Sequence, residues 1–199
     1  MKNPKGSGQA RLFIVSAPSG CGKTTLCNRL LDEMPGLANS ISMTTRPPRP
    51  GEKDGFDYHF VSDAFFRSMA KRDGFLEYEE NFGHLYGTPK AFIKNNLKSG
   101  RSVLLSIDVK GAMKVKKSFP EESVLIFILP PSISALKKRL RTRNSDDTKA
   151  ISERLGLARI ELSYKNKYDF RIVNDRLDKA YRKLKNTIIS QLQKPGETI

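Results

Sequence analysis

The 199-residue chain is poor in cysteine and histidine, with two of each, and has no internal repeat and no long hydrophobic run. Cys21 and Cys27 are too few for a disulfide framework, and their spacing lacks any zinc-site partner. The expected location is therefore the reducing cytoplasm. No segment approaches the roughly 20 apolar residues of a spanning helix, so no membrane is expected among the partners. Residues 1–8 are basic but lack the apolar stretch of a signal peptide, and read as a flexible lead-in to the first strand. Acidic residues are also in deficit. Against 36 Lys+Arg there are 21 Asp+Glu, a net charge of +15.

That charge admits three readings: nucleic acid, a small polyanion such as a nucleotide phosphate, or a solvated basic surface. Neither an aromatic-studded basic strand face nor a known nucleic-acid module is present, so no nucleic-acid partner is expected. With 38% apolar and 29% charged residues, the chain suits one soluble domain with an adequate core. Oligomeric state has no signature in it.

Short apolar runs alternate with helical patterns. RLFIVS (11–16), SVLLSI (102–107) and VLIFIL (124–129) read as strands buried on both faces, as a parallel sheet requires. Helices are expected near 23–34, 63–71, 111–118, 132–143, 147–165 and 177–192. Another starts at Pro89 and is ended by Gly100, and further extended segments are expected at 59–61, 75–79 and 170–173. Residues 42–55, rich in Thr, Arg, Pro and Gly, are expected to be irregular. The order predicts a doubly wound α/β sheet.

After the first strand comes Ala17-Pro18-Ser19-Gly20-Cys21-Gly22-Lys23-Thr24, opening a helix. It fits G-x-x-x-x-G-K-[ST] except for Ala17 in the first glycine position. Gly20 and Gly22 let the backbone curl so that successive N–H groups face phosphate oxygens, and the helix dipole adds positive potential. Lys23 can reach the β- and γ-phosphates, and the Thr24 hydroxyl can bind Mg²⁺. Cys21 most simply fills a variable position of the loop, although a helix N-terminus lowers thiol pKa and would suit a redox switch. Cys27 is expected in the core.

Farther on, Ser42-Met43-Thr44-Thr45-Arg46-Pro47-Pro48-Arg49-Pro50-Gly51-Glu52 sets two arginines three apart in a proline-stiffened loop, suited to gripping a phosphate. Asp57-Tyr58-His59-Phe60, Glu77-Tyr78 and Leu85-Tyr86-Gly87-Thr88 follow. With the later Ile107-Asp108 turn, PPS before KKRL, and Val173-Asn174-Asp175, the chain from Leu12 to about Leu192 resembles the guanylate kinases. The resemblance implies a P-loop, doubly wound, mostly parallel sheet core (9–41, 98–131 and 162–199). It also implies an inserted GMP-binding subdomain (about 42–97) and a helical lid (about 132–161).

By that resemblance Arg46, Arg49 and Tyr58 hold the phosphate of GMP with help from Ser42 and Tyr86, while Glu77 and Thr88 read the guanine. A carboxylate can accept from the N1–H and N2–H₂ edge, a donor pair that adenine lacks, and a hydroxyl can donate to O6. Asp108 ends a buried strand, where α/β sheets present ligand-binding groups. The family commonly has a second acid two residues earlier, where this chain has Ser106, and Asp108 is left between a nucleoside role and one near Mg²⁺. Arg139, Arg143 and Arg154 resemble lid arginines, with a mobile turn expected at 144–147. Asn174 resembles a contact to the adenine of ATP, with a helix cap as the alternative.

The implied reaction is Mg²⁺-dependent transfer from ATP to GMP or dGMP. The implied partners are these nucleotides, within purine nucleotide metabolism. An acceptor phosphate with a second pKa of about 6 is already an ionised nucleophile, so the shortage of histidine is no obstacle. His59 and His84 are expected to be structural or exposed. A catalytically inactive scaffold domain of the same family is disfavoured by the intact Gly20, Gly22, Lys23 and Thr24.

Overall fold

The computed structural model describes residues 9–81, 83–143 and 148–194. In its first half the chain forms β1 (Leu12–Ser16), α1 (Lys23–Glu33), β2 (Ala38–Ser40), β3 (Met43–Thr44), β4 (His59–Phe60), α2 (Asp63–Lys71), β5 (Phe75–Asn81), β6 (His84–Pro89) and α3 (Lys90–Lys98). Then follow β7 (Val103–Ser106), α4 (Val109–Ser118), β8 (Ser123–Leu129), α5 (Ile133–Arg143), α6 (Thr148–Ser163), a 3-10 turn (Tyr164–Lys167), β9 (Phe170–Val173) and α7 (Leu177–Leu192).

β2-β7-β1-β8-β9 make one sheet in which every pairing is parallel. Successive side chains of a strand point to opposite faces. Phe13 and Val15 accordingly join Leu26 and Leu30 of α1 and Leu184 and Ile188 of α7. Leu12 and Ile14 join Ile93 of α3 and Ala112 and Val115 of α4. Burial on both faces explains why β1, β7 and β8 read as uninterrupted apolar runs, each large side chain contributing roughly 1.5–3 kcal/mol.

A second sheet, β4-β3-β6-β5, lies wholly within residues 43–89 and mixes one parallel with two antiparallel pairings. Its core is small: Phe66 of α2 and Phe75 of β5 stack at 4.3 Å, with Leu85 beside them. Gly87 is required there, because a Cβ would lie 2.8 Å from the Phe75 ring and 2.9 Å from that of Phe66.

Several expectations are corrected. The segment 42–55 is not wholly irregular, since Met43–Thr44 pair with β4 and β6. β2 and β6 were not anticipated: Ala38-Asn39-Ser40 has no apolar run, and β6 contains glycine and proline. Pro89 precedes α3 as its cap rather than opening its first turn. α4 begins at Val109, two residues early, because the Asp108 carboxylate caps it by accepting from Lys110 N and Gly111 N, both at 2.9 Å. Lys114 ties α4 to β5 through Glu79 at 2.5 Å.

Candidate active site

The phosphate loop runs from the C-terminal end of β1 into α1. Gly20 and Gly22 have φ of +85° and +83°, a region closed to most side chains. Ala17 is buried without a left-handed backbone, so its Cβ is accommodated, and Pro18 is buried beside it. Ser19 is exposed. No side chain caps α1, which leaves its first N–H groups for a ligand. Lys23 is half-buried, and its Nζ donates to the Ile107 carbonyl at 3.2 Å. Burial lowers its pKa, opposed by Cys27, Asp108 and Glu161. Thr24 is exposed on the first turn of α1.

Cys21 is fully buried, and burial pushes its thiol up to about 12. Desolvation therefore overrides the helix terminus, and a redox switch does not fit. Cys27 lies in the core as expected. Asn174 is not a helix cap, a position taken by Arg176. Its Nδ2 donates to the Cys21 carbonyl at 2.8 Å, and a Cβ on Gly22 would come within 2.6 Å of the same nitrogen. Arg139 Nη2 in turn donates to the Asn174 carbonyl at 2.8 Å, linking α5 to the end of β9.

The second sheet carries the other end. Arg46, 9% exposed, donates from Nη1 and Nη2 to the two carboxylate oxygens of Glu52, each at 2.9 Å. Its guanidinium carbon lies 5.4 Å from the Tyr58 ring, which meets Tyr86 edge-on at 5.9 Å. Arg49 is exposed, and its N–H donates to Glu52. Ser42 is half-buried, its carbonyl accepting from His59 N.

Glu77 and Thr88 are cross-strand partners on β5 and β6. Thr88 Oγ1 donates to Glu77 Oε1 at 2.5 Å and is fully buried. In the free protein this donation fixes Glu77. Burial raises the Glu77 carboxyl to about 7, Thr88 opposing and Asp108 adding to the rise. Gly111 gives it room, since a Cβ there would lie 2.7 Å from Glu77 Oε2.

Between the two ends stands Asp108. Its Oδ1 caps α4, its Oδ2 accepts from Asn81 Nδ2 at 3.3 Å, and its charge acts on both Lys23 and Glu77. Three residues overlooked in the sequence belong here: Glu52, Asn81 and Glu161. Glu161 lies on α6, where burial raises its carboxyl to about 7, Lys23 opposing and Asp108 adding. The only signal for it was its place seven residues after Arg154, on the same helix face. Ser106 meets the Cys27 thiol instead, so the carboxylates acting on Lys23 are Asp108 and Glu161. Arg154 is half-buried on α6. Arg143 ends α5, but its side chain and the turn expected at 144–147 lie outside the described residues.

A glycine-turn loop leading from a parallel sheet into a helix, with an arginine and carboxylate cluster on a second, inserted sheet, is the arrangement of a P-loop nucleoside monophosphate kinase. Residues 9–191 match the family model described as guanylate kinase. The chain is 44% identical over 183 residues to the guanylate kinase of Caldanaerobacter subterraneus subsp. tengcongensis, covering 92% of this chain and 88% of the relative. It is 49% identical over 172 residues to a guanylate kinase of Thermus thermophilus, covering 86% of this chain and 77% of the relative. The crystal structure of guanylate kinase from Anaplasma phagocytophilum superposes with a TM-score of 0.80 at 33% identity, covering 94% of this chain and 88% of that one. The chain belongs to the guanylate kinase family.

Proposed function

We propose that the chain transfers the γ-phosphoryl group of ATP to GMP, or dGMP, giving ADP and GDP or dGDP, as part of cytoplasmic purine nucleotide metabolism. The observation that carries this reading is the Ile107–Asp108 turn: the Ile107 carbonyl accepts from Lys23 Nζ of the phosphate loop at 3.2 Å, and Gly111, whose N–H donates to Asp108 Oδ1, lies so near Glu77 of the second sheet that a Cβ would meet Oε2 at 2.7 Å. Donor and acceptor ends are thus close enough to share one electrostatic site.

In this reading the loop from Ala17 to Thr24 wraps the ATP phosphates with backbone N–H groups, and Lys23 neutralises charge moving onto the transferred group. Asn174 supports the loop from behind at the adenine end. Arg46 and Arg49 hold the GMP phosphate within the wall of Tyr58 and Tyr86, with Ser42 at its edge. Glu77, oriented by Thr88, accepts from guanine N1–H and N2–H₂, and Asp108 lies on the nucleoside side of Lys23. Arg139, Arg143 and Arg154 complete the transition-state charge when residues 132–161 close as a lid over the core (9–41, 98–131 and 162–199) and the acceptor subdomain (42–97). No general base is needed, because the acceptor oxygen arrives ionised.

Among the described residues no group of three or more His, Cys, Asp or Glu side chains could cage a metal. Mg²⁺ keeps several waters and binds through one or two protein groups plus substrate phosphates. The exposed Thr24 hydroxyl would hold it, and the ion would neutralise charge on the β- and γ-phosphates.

A coupled assay with GMP, AMP, CMP and UMP tests the assignment. Turnover is expected with GMP far above the others, and a preference for AMP would refute the role of Glu77.

A further inference from the structure

Glu52 places a carboxylate inside a cationic cradle, where it weakens the attraction for an incoming phosphate. Its geometry gives a reason for its presence. Oε2 accepts from Arg46 Nη1 and Oε1 from Arg46 Nη2, both at 2.9 Å, so the carboxylate grips the guanidinium end-on. Arg46 Nη1 also donates to the Pro47 carbonyl at 2.7 Å. Glu52 closes its own loop as well: Oε2 accepts from Arg49 N at 2.7 Å, and Glu52 N donates to the Arg49 carbonyl at 3.0 Å. A guanidinium has five N–H donors in a fixed plane. The two not committed to Glu52 or Pro47 are Nε–H and the outer Nη2–H, which together form the side-on fork, and the Tyr86 hydroxyl meets the same guanidinium.

We propose that Glu52 is a positioning residue for the acceptor nucleotide, holding the end-on edge of Arg46 in the free and the bound enzyme so that the phosphate is taken on the side-on fork alone. The inference rests on the assignment of Arg46 to the acceptor phosphate. A guanidinium open at both edges could hold a phosphate in two registers, and only one can aim the nucleophilic oxygen at the donor. Misplacement by about 1 Å is enough to cost a large factor in rate. Glu52 also holds the 9%-exposed Arg46 in one rotamer before substrate arrives, so less freedom is lost on binding. The Tyr58 and Phe60 rings, 5.4 and 5.7 Å from the guanidinium carbon, limit its other orientations.

The test is Glu52→Gln, which keeps the size and one acceptor oxygen but cannot accept from both nitrogens. Steady-state kinetics with GMP, KM for ATP, and binding of guanosine as the phosphate-free reference are measured on the full chain. The expected result is a loss of about tenfold in kcat/KM for GMP, with KM for ATP and Kd for guanosine unchanged. In an Arg46→Lys background, which has no fork to orient, Glu52→Gln should add no further loss. Tighter GMP binding in Glu52→Gln would make Glu52 a competitor and overturn the proposal. A parallel weakening of GMP and guanosine, or no change in either, would overturn it too. If Arg46→Lys alone leaves kcat/KM for GMP intact, the assignment of Arg46 falls, and Glu52 with it.

Discussion

Replacing Glu77 by glutamine should improve the fold while ruining the site, and the size of both effects follows from one buried carboxyl. Glu77 is 7% exposed, and its pKa rises from the ordinary 4.5 to about 7 on folding, chiefly through burial. A carboxyl raised in the folded state contributes its full stability below pH 4.5 and loses it as pH climbs through 7. At about 1.4 kcal/mol per pH unit, the ionised Glu77 costs the free protein about 3 kcal/mol at pH 8. Glutamine can keep the hydrogen bond from Thr88 and carries no charge. The Glu77→Gln protein should therefore gain up to about 3 kcal/mol at pH 8, raising Tm by roughly 2–4 °C per kcal/mol, and gain under about 1 kcal/mol at pH 5. Glu161 titrates in the same range but is common to both proteins, so it drops out of the difference. Guanine needs the ionised form, so guanosine binding to the wild type should weaken about tenfold from pH 8 to pH 6, while the variant binds weakly at both. Guanosine has no phosphate to titrate, which isolates the carboxyl. Thermal unfolding at the two pH values and guanosine titration make the measurement. An equal stability change at pH 5 and pH 8, or unaltered guanosine affinity in the variant, would refute the reasoning.

Lys23→Ala should lower kcat by at least about a thousandfold with an unchanged circular dichroism spectrum, because the hydrogen bond lost within the protein is the one to the Ile107 carbonyl. Gly111→Ala should raise KM for GMP and spare KM for ATP, since its Cβ would press to 2.7 Å from Glu77 Oε2. Asn174→Ala leaves the buried Cys21 carbonyl without its partner and should destabilise the protein by about 1–3 kcal/mol while raising KM for ATP. With thiols raised to about 12 and about 11, Cys21 and Cys27 should resist iodoacetamide at pH 8 in the folded enzyme. Rapid loss of activity under that reagent would contradict the burial.

Helices and the three buried strands of the parallel sheet could be read directly, because hydrophobic period and apolar runs are local signals. Ser62 caps α2 by accepting from Phe65 N, a local interaction between residues three apart. The short strands β2, β3 and β6 could not be read. Each is defined by pairing with a distant partner, and Ala38-Asn39-Ser40 carries no pattern of its own. The same division holds at the site. Gly20, Gly22, Lys23 and Thr24 announce themselves because four adjacent residues do one job. Glu161 does not, since it matters only through Lys23 and Asp108, which the fold brings to it from two other elements.

The amino-acid order alone thus determined the class of chemistry: a strand, a glycine turn and a lysine for phosphate, an arginine pair for a second anion, and an excess of positive charge. Tertiary structure decided the physical state of those groups. It buried Cys21 and removed its thiolate, raised Glu77 toward neutrality, turned the Thr88 hydroxyl onto Glu77, and clasped Arg46 with Glu52. Burial and hydrogen-bond partners set a side chain's charge and direction, and both depend on residues far away in the chain.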